Sequence, residues 1–386
     1  MKIKVLMFCG QFRPLIGGAE RQTEELANAL ALAGCQVTIV TLRRDTASPD
    51  IEESNGVRIE RLPFIDLSQR FSFRGIAFIN IPFILLSIAK VMFARFNGID
   101  IVHCQMVGLE TLGVIMAARI KGLPVLVTAH TADRHSELGK IKKTGFTGNI
   151  IAMLARAMIK NWVAISTAVE YELVNAGVPV AQISRIPNGV KLPATNHKKV
   201  DKQEACRFLC LGRLSTTAER DVSTLLKAFD RLALEYVDVE LALVGGGNLL
   251  DQTKREAEQM KASDKIILPG FDDAEKWLDW ADCFVLPSRY EGLSMALLES
   301  MASGLPCIAN DILPNREVLD NGSAGVLVPV GDENKLFEAM HRMVSDVVHA
   351  EAMRSASLNR VHTHYGIESV AKRYIELYQK LALRRS

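Results

Sequence analysis

Residues 287–306, PSRYEGLSMALLESMASGLP, set two carboxylates eight residues apart across the junction between a loop and a helix. The apolar run 283–286 just before them predicts a buried strand that stops at the proline, and helix-forming residues resume at Ser294. Glu291 therefore lies in the predicted loop. Glu299 lies about a turn and a half into the predicted helix.

The loop and the helix start offer the groups that a sugar nucleotide needs. Gly292 lets the backbone come close to a ligand, and the free N–H groups of a helix start form a site for an anion. One carboxylate can bind the ribose hydroxyls and the other the hydroxyls of the sugar. Spacing alone leaves open an ordinary strand, loop and helix with surface glutamates.

This segment resembles the Glu-x7-Glu signature of family 4 glycosyltransferases, retaining enzymes with the GT-B fold. The resemblance includes the Pro-Ser before Glu291 and the Ala-Ser-Gly-Leu-Pro that follows. It implies transfer of a sugar from a nucleotide diphosphate, with Glu291 at the sugar hydroxyls and Glu299 at the ribose. Donor binding is assigned to the junction residues Gly292, Leu293 and Ser294.

Length and composition fit two soluble α/β domains. The 386 residues exceed one typical core, and 48% of them are hydrophobic against 23% charged. Apolar strands alternate with helical segments in two series, a pattern typical of parallel sheets with helices on both faces. The predicted strands are 4–8, 36–41, 57–62, 99–104, 125–129 and 162–165, then 207–211, 240–244, 265–268, 283–286, 307–309 and 326–328.

The domain organisation follows from the polar, basic segment 191–202 between the two series, which is typical of a linker. We predict an N-terminal Rossmann-like acceptor-binding domain at 1–190 and a C-terminal Rossmann-like nucleotide-sugar-binding domain at 204–365. The resemblance implies that the two face a central cleft, as in GT-B. It also implies that the C-terminal helix, within 366–386, crosses back to the N-terminal domain.

In the first domain, candidate site residues follow the strand ends, where ligands of doubly wound sheets bind. Gly17 and Gly18 open a helix, and the family places this loop beside the donor phosphate and the acceptor. Two histidines, His103 and His130, end strands, where a lone histidine is more often structural. The resemblance implies that His130 contacts the transferred sugar, while for His103 both interpretations stay open.

In the second domain, Arg213 ends a strand and Arg220 precedes a helix. Two fixed cations facing a pyrophosphate can neutralise the charge that builds on a leaving nucleoside diphosphate. The family has an arginine and a lysine here, five residues apart. This chain has a spacing of seven and an arginine at the lysine position, which keeps the charge but not the shape. The alternative for Arg220 is a surface residue.

Three further loops resemble family features. Gly245 begins a three-glycine loop and Phe271 follows the next predicted strand, where the family places the ribose and the base. We expect backbone near Phe271 to read the edge of the base. The run Pro-Asn-Gly-Val at 187–190 matches an interdomain motif of the family and indicates a hinge.

Cysteine usage indicates a reduced, cytoplasmic protein without a structural metal. The seven cysteines are scattered and mostly lie in apolar runs. Only Cys206 and Cys210 are near neighbours, and they lack the histidine or second cysteine pair of a zinc site. The basic, apolar N-terminus is short and reads as a first strand, not as a signal peptide.

Charge is uneven along the chain. Residues 1–195 carry 22 Lys and Arg against 15 Asp and Glu, and the remainder carries 24 against 29. Basic residues beside apolar ones can dock on an anionic membrane surface, although solvated helix faces remain the alternative. The residues in question are Arg70, Arg74, Lys90, Arg95, Lys140, Lys142, Lys143, Arg156 and Lys160. Polar residues within the apolar segment 76–93 argue against a spanning helix.

The resulting hypothesis is a retaining glycosyltransferase, cytoplasmic or peripheral on the inner face of the membrane. It would use a UDP- or GDP-linked sugar, no metal and no nucleic acid, and a glycan or lipid-linked acceptor from cell-surface polysaccharide or lipopolysaccharide biosynthesis. Hydrolysis by a carboxylate pair carries little weight, because glycosidase acids flank a single bond. A nucleotide-sugar epimerase on the same fold and a non-catalytic nucleotide-sugar-binding subunit stay open.

Overall fold

The computed structural model describes residues 2–13, 17–43, 47–63, 88–89, 92, 98–131, 139, 146–193, 206–216 and 220–383. They form two compact units, Met1–Gly189 with Ile367–Ser386, and Val190–Gly366. Three sets of predictions lie largely outside the described residues. They are the apolar segment 76–93, the linker 191–202, and the basic residues Arg70, Arg74, Lys90, Arg95, Lys140, Lys142 and Lys143.

The first unit is built on one sheet in the order β3-β4-β2-β1-β5-β6-β7-β8. All neighbours are parallel except the antiparallel edge pair β3 and β4. Its strands are β1 Lys4–Cys9, β2 Gln36–Arg43, β3 Ile51–Ser54, β4 Val57–Pro63, β5 Ile101–Gln105, β6 Val125–Ala129, β7 Trp162–Ala164 and β8 Ile183–Arg185.

Helices cover this sheet and bury their apolar stripes against it. Helix α1 buries Leu26, Ala27 and Leu30, at the three- and four-residue spacing of one helix face. The helices of this unit that precede the second unit along the chain are α1 Gly18–Leu32, α2 Leu109–Ile120, α3 Phe146–Met158 and α4 Thr167–Asn175, followed by the 3-10 turn Val180–Gln182.

The C-terminal helix, Ile367–Leu383, completes the core of the first unit and packs on α1. Its buried positions recur every three or four residues, so one stripe faces the core. They are Ile367, Val370, Ala371, Tyr374, Tyr378 and Leu381. The expected return of the final helix to the N-terminal domain is confirmed.

The second unit has a fully parallel six-stranded sheet in the order β11-β10-β9-β12-β13-β14. This is the doubly wound Rossmann order. Successive strands from β9 to β11 are added towards one edge of the sheet, and those from β12 to β14 towards the other edge. The strands are β9 Cys206–Leu211, β10 Val239–Val244, β11 Ile266–Gly270, β12 Cys283–Leu286, β13 Cys307–Asn310 and β14 Val326–Val328.

Helices again alternate with the strands. Phe208 of β9 and Phe229 of α5 meet edge to face in the core, with ring centroids 6.5 Å apart. The helices are α5 Val222–Glu235, α6 Leu250–Glu258, α7 Ala274–Trp280, α8 Met295–Ala302, α9 Leu313–Val318, α10 Glu333–Ser345 and α11 Val347–His364, with 3-10 turns at Ser263–Lys265 and Asp320–Gly322.

The predicted fold class is confirmed, and every predicted strand is present within two residues at each end. Two short strands, β3 and β8, were not predicted. All seven cysteines are free, and all but Cys206 are buried. Among the described helices, none combines the length and the apolar character needed to cross a membrane.

Candidate active site

The site of the second unit lies at the carboxyl ends of β9 and β12. Connections from β9 lead to one side of the sheet and connections from β12 to the other, so the loops diverge and leave a crevice between them. The loop after β12 carries Glu291, and the loop after β9 leads to Arg220. An antiparallel bridge between Arg220 and Ser288 joins the two loops.

Arg220 and Glu291 face each other at this bridge. Arg220 Nη2 lies 3.7 Å from Glu291 Oε1, and the two side chains are 10% and 19% exposed. The Ser288 hydroxyl donates a hydrogen bond of 2.8 Å to the same carboxylate oxygen. Sequence reasoning missed Ser288, although it stands three residues before Glu291. The surface interpretation of Arg220 is wrong, because its side chain is largely buried.

The Arg220 guanidinium retains donors for a ligand. Its Nε and Nη1 are buried and have no oxygen or nitrogen acceptor among the described residues, while the guanidinium interacts with the buried Cys210 thiol. The guanidinium lies against the backbone of Gly212, where a Cβ would come within 2.2 Å of Nη2. A buried guanidinium with N–H groups that lack an oxygen or nitrogen acceptor suits an anion with several oxygens, such as a diphosphate.

Opposing effects act on the pKa of Glu291. Burial raises its pKa above the ordinary value, while the Arg220 charge and the Ser288 hydrogen bond pull the pKa back. One of its oxygens is shared by both neighbours. The carboxyl group is thus held in one orientation.

A second ion pair ties the same two loops together. Arg289 Nη2 lies 3.1 Å from Asp221 Oδ2, and the Asp221 N–H donates to the Pro287 carbonyl at 2.7 Å. Asp221 is 5% exposed and Arg289 is 54% exposed. Because Asp221 follows Arg220 directly, this pair fixes the backbone that presents Arg220. The sequence analysis did not identify either residue.

Glycines let the neighbouring loops approach closely. A Cβ on Gly245 would lie 2.0 Å from the Gly212 carbonyl oxygen, and one on Gly246 would lie 2.4 Å from the Phe271 ring. Phe271 itself is 77% exposed at the end of β11. Arg213, one residue beyond Gly212, is also exposed. The loops after β9, β10 and β11 therefore stack on one another beside the crevice.

Helix α8 starts four residues after Glu291. The Ser294 hydroxyl caps it by accepting from Leu297 N at 3.3 Å. Glu299, the fifth residue of the helix, is 8% exposed. Both Gly292 and Leu293 are buried in the connecting loop. The structure thus contains the predicted loop and helix, and it adds Ser294 as the helix cap.

The first unit carries the remaining candidates at its own strand ends. Gly17 is the N-cap of α1, and Gly18 is its first residue. His130 follows β6, is 7% exposed and has Nε2 3.0 Å from Gln105 Oε1. Burial lowers the pKa of His130 to about 4, so its imidazole is neutral at physiological pH. His103 is fully buried, which excludes direct substrate contact in this conformation.

No group of three or more His, Cys, Asp or Glu side chains within the described part of the chain could hold a metal ion.

Comparison with known proteins defines the class. A model described as Glycosyltransferase Family 4 matches residues 16–192, and one described as Glycosyl transferases group 1 matches residues 205–346. A UDP-Gal:alpha-D-GlcNAc-diphosphoundecaprenol alpha-1,3-galactosyltransferase of Escherichia coli is 25% identical over an alignment of 389 positions that covers 95% of each chain.

Two solved structures show the same fold. Sucrose-phosphate synthase from Thermosynechococcus elongatus superimposes with a TM-score of 0.79 at 23% identity, covering 98% of this chain and 99% of that one. HepE of Anabaena, in complex with UDP-glucose, gives a TM-score of 0.76 at 15% identity, covering 98% and 100%. The fold is therefore GT-B.

The two family models together span most of the chain. The chain belongs to the glycosyltransferases of family 4 and group 1, and it is a nucleotide-sugar-dependent glycosyltransferase.

Proposed function

We propose that this enzyme transfers a hexose from a UDP-linked donor, with retention at the anomeric carbon, to a lipid-diphosphate-linked glycan. The observation that carries the proposal is the buried Arg220 guanidinium beside Glu291 at the β9 and β12 strand ends, with two nitrogens that have no oxygen or nitrogen acceptor among the described residues. A diphosphate placed against Arg220 brings the attached sugar next to the carboxylate. The UDP moiety is favoured because the E. coli relative uses UDP-Gal and HepE binds UDP-glucose.

Each site residue has a role in this proposal. Arg220 and Arg213 stabilise the negative charge that develops on the leaving UDP, and the N-terminus of α8 receives phosphate oxygens. Glu299 binds the ribose hydroxyls, while Phe271 and Gly245 border the base and the ribose. Glu291 and His130 hold the sugar itself, and Gly17 and Gly18 leave room for the donor phosphate and the acceptor.

The reaction needs no protein nucleophile. The bond between the anomeric carbon and the β-phosphate oxygen breaks as the acceptor oxygen bonds to the same face of that carbon. The acceptor proton passes to the departing phosphate oxygen, and UDP leaves. The protein contributes orientation and charge stabilisation. We further propose that the reaction proceeds without a metal ion, since arginine side chains supply the cationic charge.

The acceptor class rests on two observations. The E. coli relative, by its name, acts on an acceptor linked through a diphosphate to undecaprenol. The first half of this chain is basic, which favours an anionic acceptor and an anionic membrane surface. A role in surface polysaccharide or lipopolysaccharide synthesis, at the inner face of the membrane, follows as part of the proposal.

The test combines product analysis with one substitution. The enzyme is incubated with EDTA, UDP-glucose or UDP-galactose, and a polyprenyl-diphosphate-linked GlcNAc acceptor, and the anomeric configuration of the product is read by NMR. We expect an α-linked product. Glu291→Gln should lower kcat about 100-fold with little change in the Kd of UDP, because it removes the carboxylate at the sugar and not a phosphate contact.

Glu258→Gln, at an exposed site on α6, is the matched control and should leave kcat unchanged. An inverted product or unchanged turnover in Glu291→Gln contradicts the mechanism. UDP release to water without an acceptor indicates an epimerase, and a donor that binds but stays intact indicates a non-catalytic subunit.

A further inference from the structure

The first unit contains a buried polar cluster that the proposed mechanism does not use directly. His103 Nδ1 lies 2.7 Å from the Tyr378 hydroxyl, and His103 Nε2 lies 2.7 Å from the Thr128 hydroxyl. The Tyr374 hydroxyl lies 3.3 Å from the same threonine oxygen. Two tyrosines of the C-terminal helix thus lock the His103 ring beneath the ends of β5 and β6.

Gln105 links this cluster to His130. Its amide nitrogen lies 3.4 and 3.5 Å from the two ring nitrogens of His103, and its amide oxygen lies 3.0 Å from His130 Nε2. Gln105 is 1% exposed. Because a carbonyl oxygen only accepts hydrogen bonds, His130 Nε2 must be the donor in this pair.

The backbone beside Gln105 is strained. Met106 has a φ of +84°, a conformation that non-glycine residues rarely adopt. Its N–H donates to the Thr128 carbonyl at 3.0 Å. Such strain clusters where a structure holds a side chain in a required place. Here the hydrogen bond to Thr128 holds the strained turn that directly follows Gln105.

We propose that Gln105 is a positioning residue that holds His130 with its proton on Nε2, and that His103, Thr128 and Tyr378 hold Gln105. The inference deepens the proposed function, in which His130 contacts the transferred sugar. A neutral imidazole protonated at Nε2 can only accept at Nδ1. Through this tautomer Gln105 sets the hydrogen-bonding character of the ring that contacts the sugar.

The cluster is suited to this role because both rings are neutral. Burial lowers the pKa of His103 to about 3, with a further contribution from His130, and burial lowers the pKa of His130 to about 4. A neutral ring has two tautomers, and a fixed acceptor at one nitrogen selects between them.

The test reads the tautomer without depending on activity. The 15N and 13C shifts of labelled histidines report which nitrogen carries the proton, and His130→Asn assigns the signal among the eight histidines. We expect His130 protonated at Nε2 in the wild type. Gln105→Leu should give a mixture of tautomers. It should lower kcat about 10- to 100-fold at unchanged donor KM, the usual effect of removing a residue that orients a functional histidine.

Tyr378→Phe is the second variant, in case Gln105→Leu does not fold, and should shift the tautomer in the same direction. Tyr365→Phe, which removes a buried hydroxyl bonded at 3.3 Å to the Glu317 carbonyl, is the control and should leave the His130 signals unchanged. A wild-type proton on Nδ1, or signals unaltered in Gln105→Leu and Tyr378→Phe, overturns the proposal. Unchanged turnover in His130→Asn instead contradicts the sugar-binding role of His130 and leaves the tautomer result standing.

Discussion

Because Gly212 has no side chain, it leaves room for the Arg220 guanidinium in the proposed donor site. Its φ of +139° is favourable only for glycine, and its hypothetical Cβ would meet the Arg220 guanidinium at 2.2, 2.6 and 3.1 Å. A Glu291 carboxylate oxygen lies 3.7 Å from Nη2 of the same guanidinium. The arginine is thus oriented by packing as well as by charge.

Gly212→Ala should therefore weaken UDP binding by tenfold or more, roughly the loss of one charge-assisted contact. It should also destabilise the second unit through its unfavourable φ. Isothermal titration with UDP measures the first effect and thermal unfolding the second.

Gly322→Ala is a matched control in the same unit. Gly322 has a φ of +99°, and its Cβ would meet only Leu327, at 3.9 Å. Strain should lower its melting temperature too, while UDP affinity stays at the wild-type value. Equal UDP affinity in the two variants would show that Gly212 does not position Arg220.

For single residues, the sequence predicted which charged residues are candidates for the site better than it predicted their hydrogen-bond partners. Arg220 was found by its place before α5, and Glu291 by its spacing from Glu299. Ser288 and Gln105 were missed because each acts on a neighbour across a strand end or a loop, and such a contact leaves no periodic signal. Their polar character just beyond a buried strand was the available clue.

Among the elements, the missed β3 illustrates a signal that was present. Its sequence, IEES, has two adjacent acidic residues and no regular apolar alternation, so propensity argues against a strand. The following Asn55 and Gly56 have φ of +51° and +76°, as in a tight two-residue hairpin turn. The Asn-Gly pair predicts the hairpin, and the Arg61 to Glu52 ion pair, at 2.7 Å, then stabilises it.

The C-terminal helix contributes a buried stripe to the core of the first unit. Leu381 is 5% exposed within its buried stripe, whereas Leu383 is 73% exposed. Leu381→Ala should lower the free energy of unfolding by about 2–5 kcal/mol, the cost of a cavity in a packed core. Leu383→Ala should change it by less than about 0.5 kcal/mol.

Denaturant unfolding of the first unit can be followed through Trp162, which is buried in β7. Trp277→Phe and Trp280→Phe in the background remove the other two tryptophans, both in the second unit. Similar losses for Leu381→Ala and Leu383→Ala would mean that the helix end does not pack as described.

For the whole molecule, the two-domain α/β class and the parallel sheets could be predicted, because alternating strands and helices have few alternative topologies. The buried network around His103 could not, because it depends on contacts between distant parts of the chain: Tyr378 is 275 residues from His103. Function came from resemblance at the Glu291 loop, since fold alone does not specify chemistry.

The free energy of unfolding of the chain should fall on mild acidification. The reason is that His103 and His130 bind protons below pH 6.5 in the unfolded chain but not in the folded chain. His103 and His130 have folded pKa values near 3 and 4, against about 6.5 when unfolded. Their folded pKa values are depressed, so their full contribution to stability is present above pH 6.5 and is lost as pH falls towards those values. Each histidine should contribute a slope of about 1.4 kcal/mol per pH unit within that window.

The variant His130→Asn separates the contribution of His130 to the free energy of unfolding from that of His103. The wild type and the variant should show free energies of unfolding whose difference changes by about 1.4 kcal/mol per pH unit between pH 6.5 and 4, with parallel curves above pH 7. Denaturant titrations read through Trp162 at a series of pH values measure both curves. Parallel curves down to pH 4 would mean that His130 takes up its proton in the folded state, and that the neutral imidazole on which its contact with a sugar depends is not maintained.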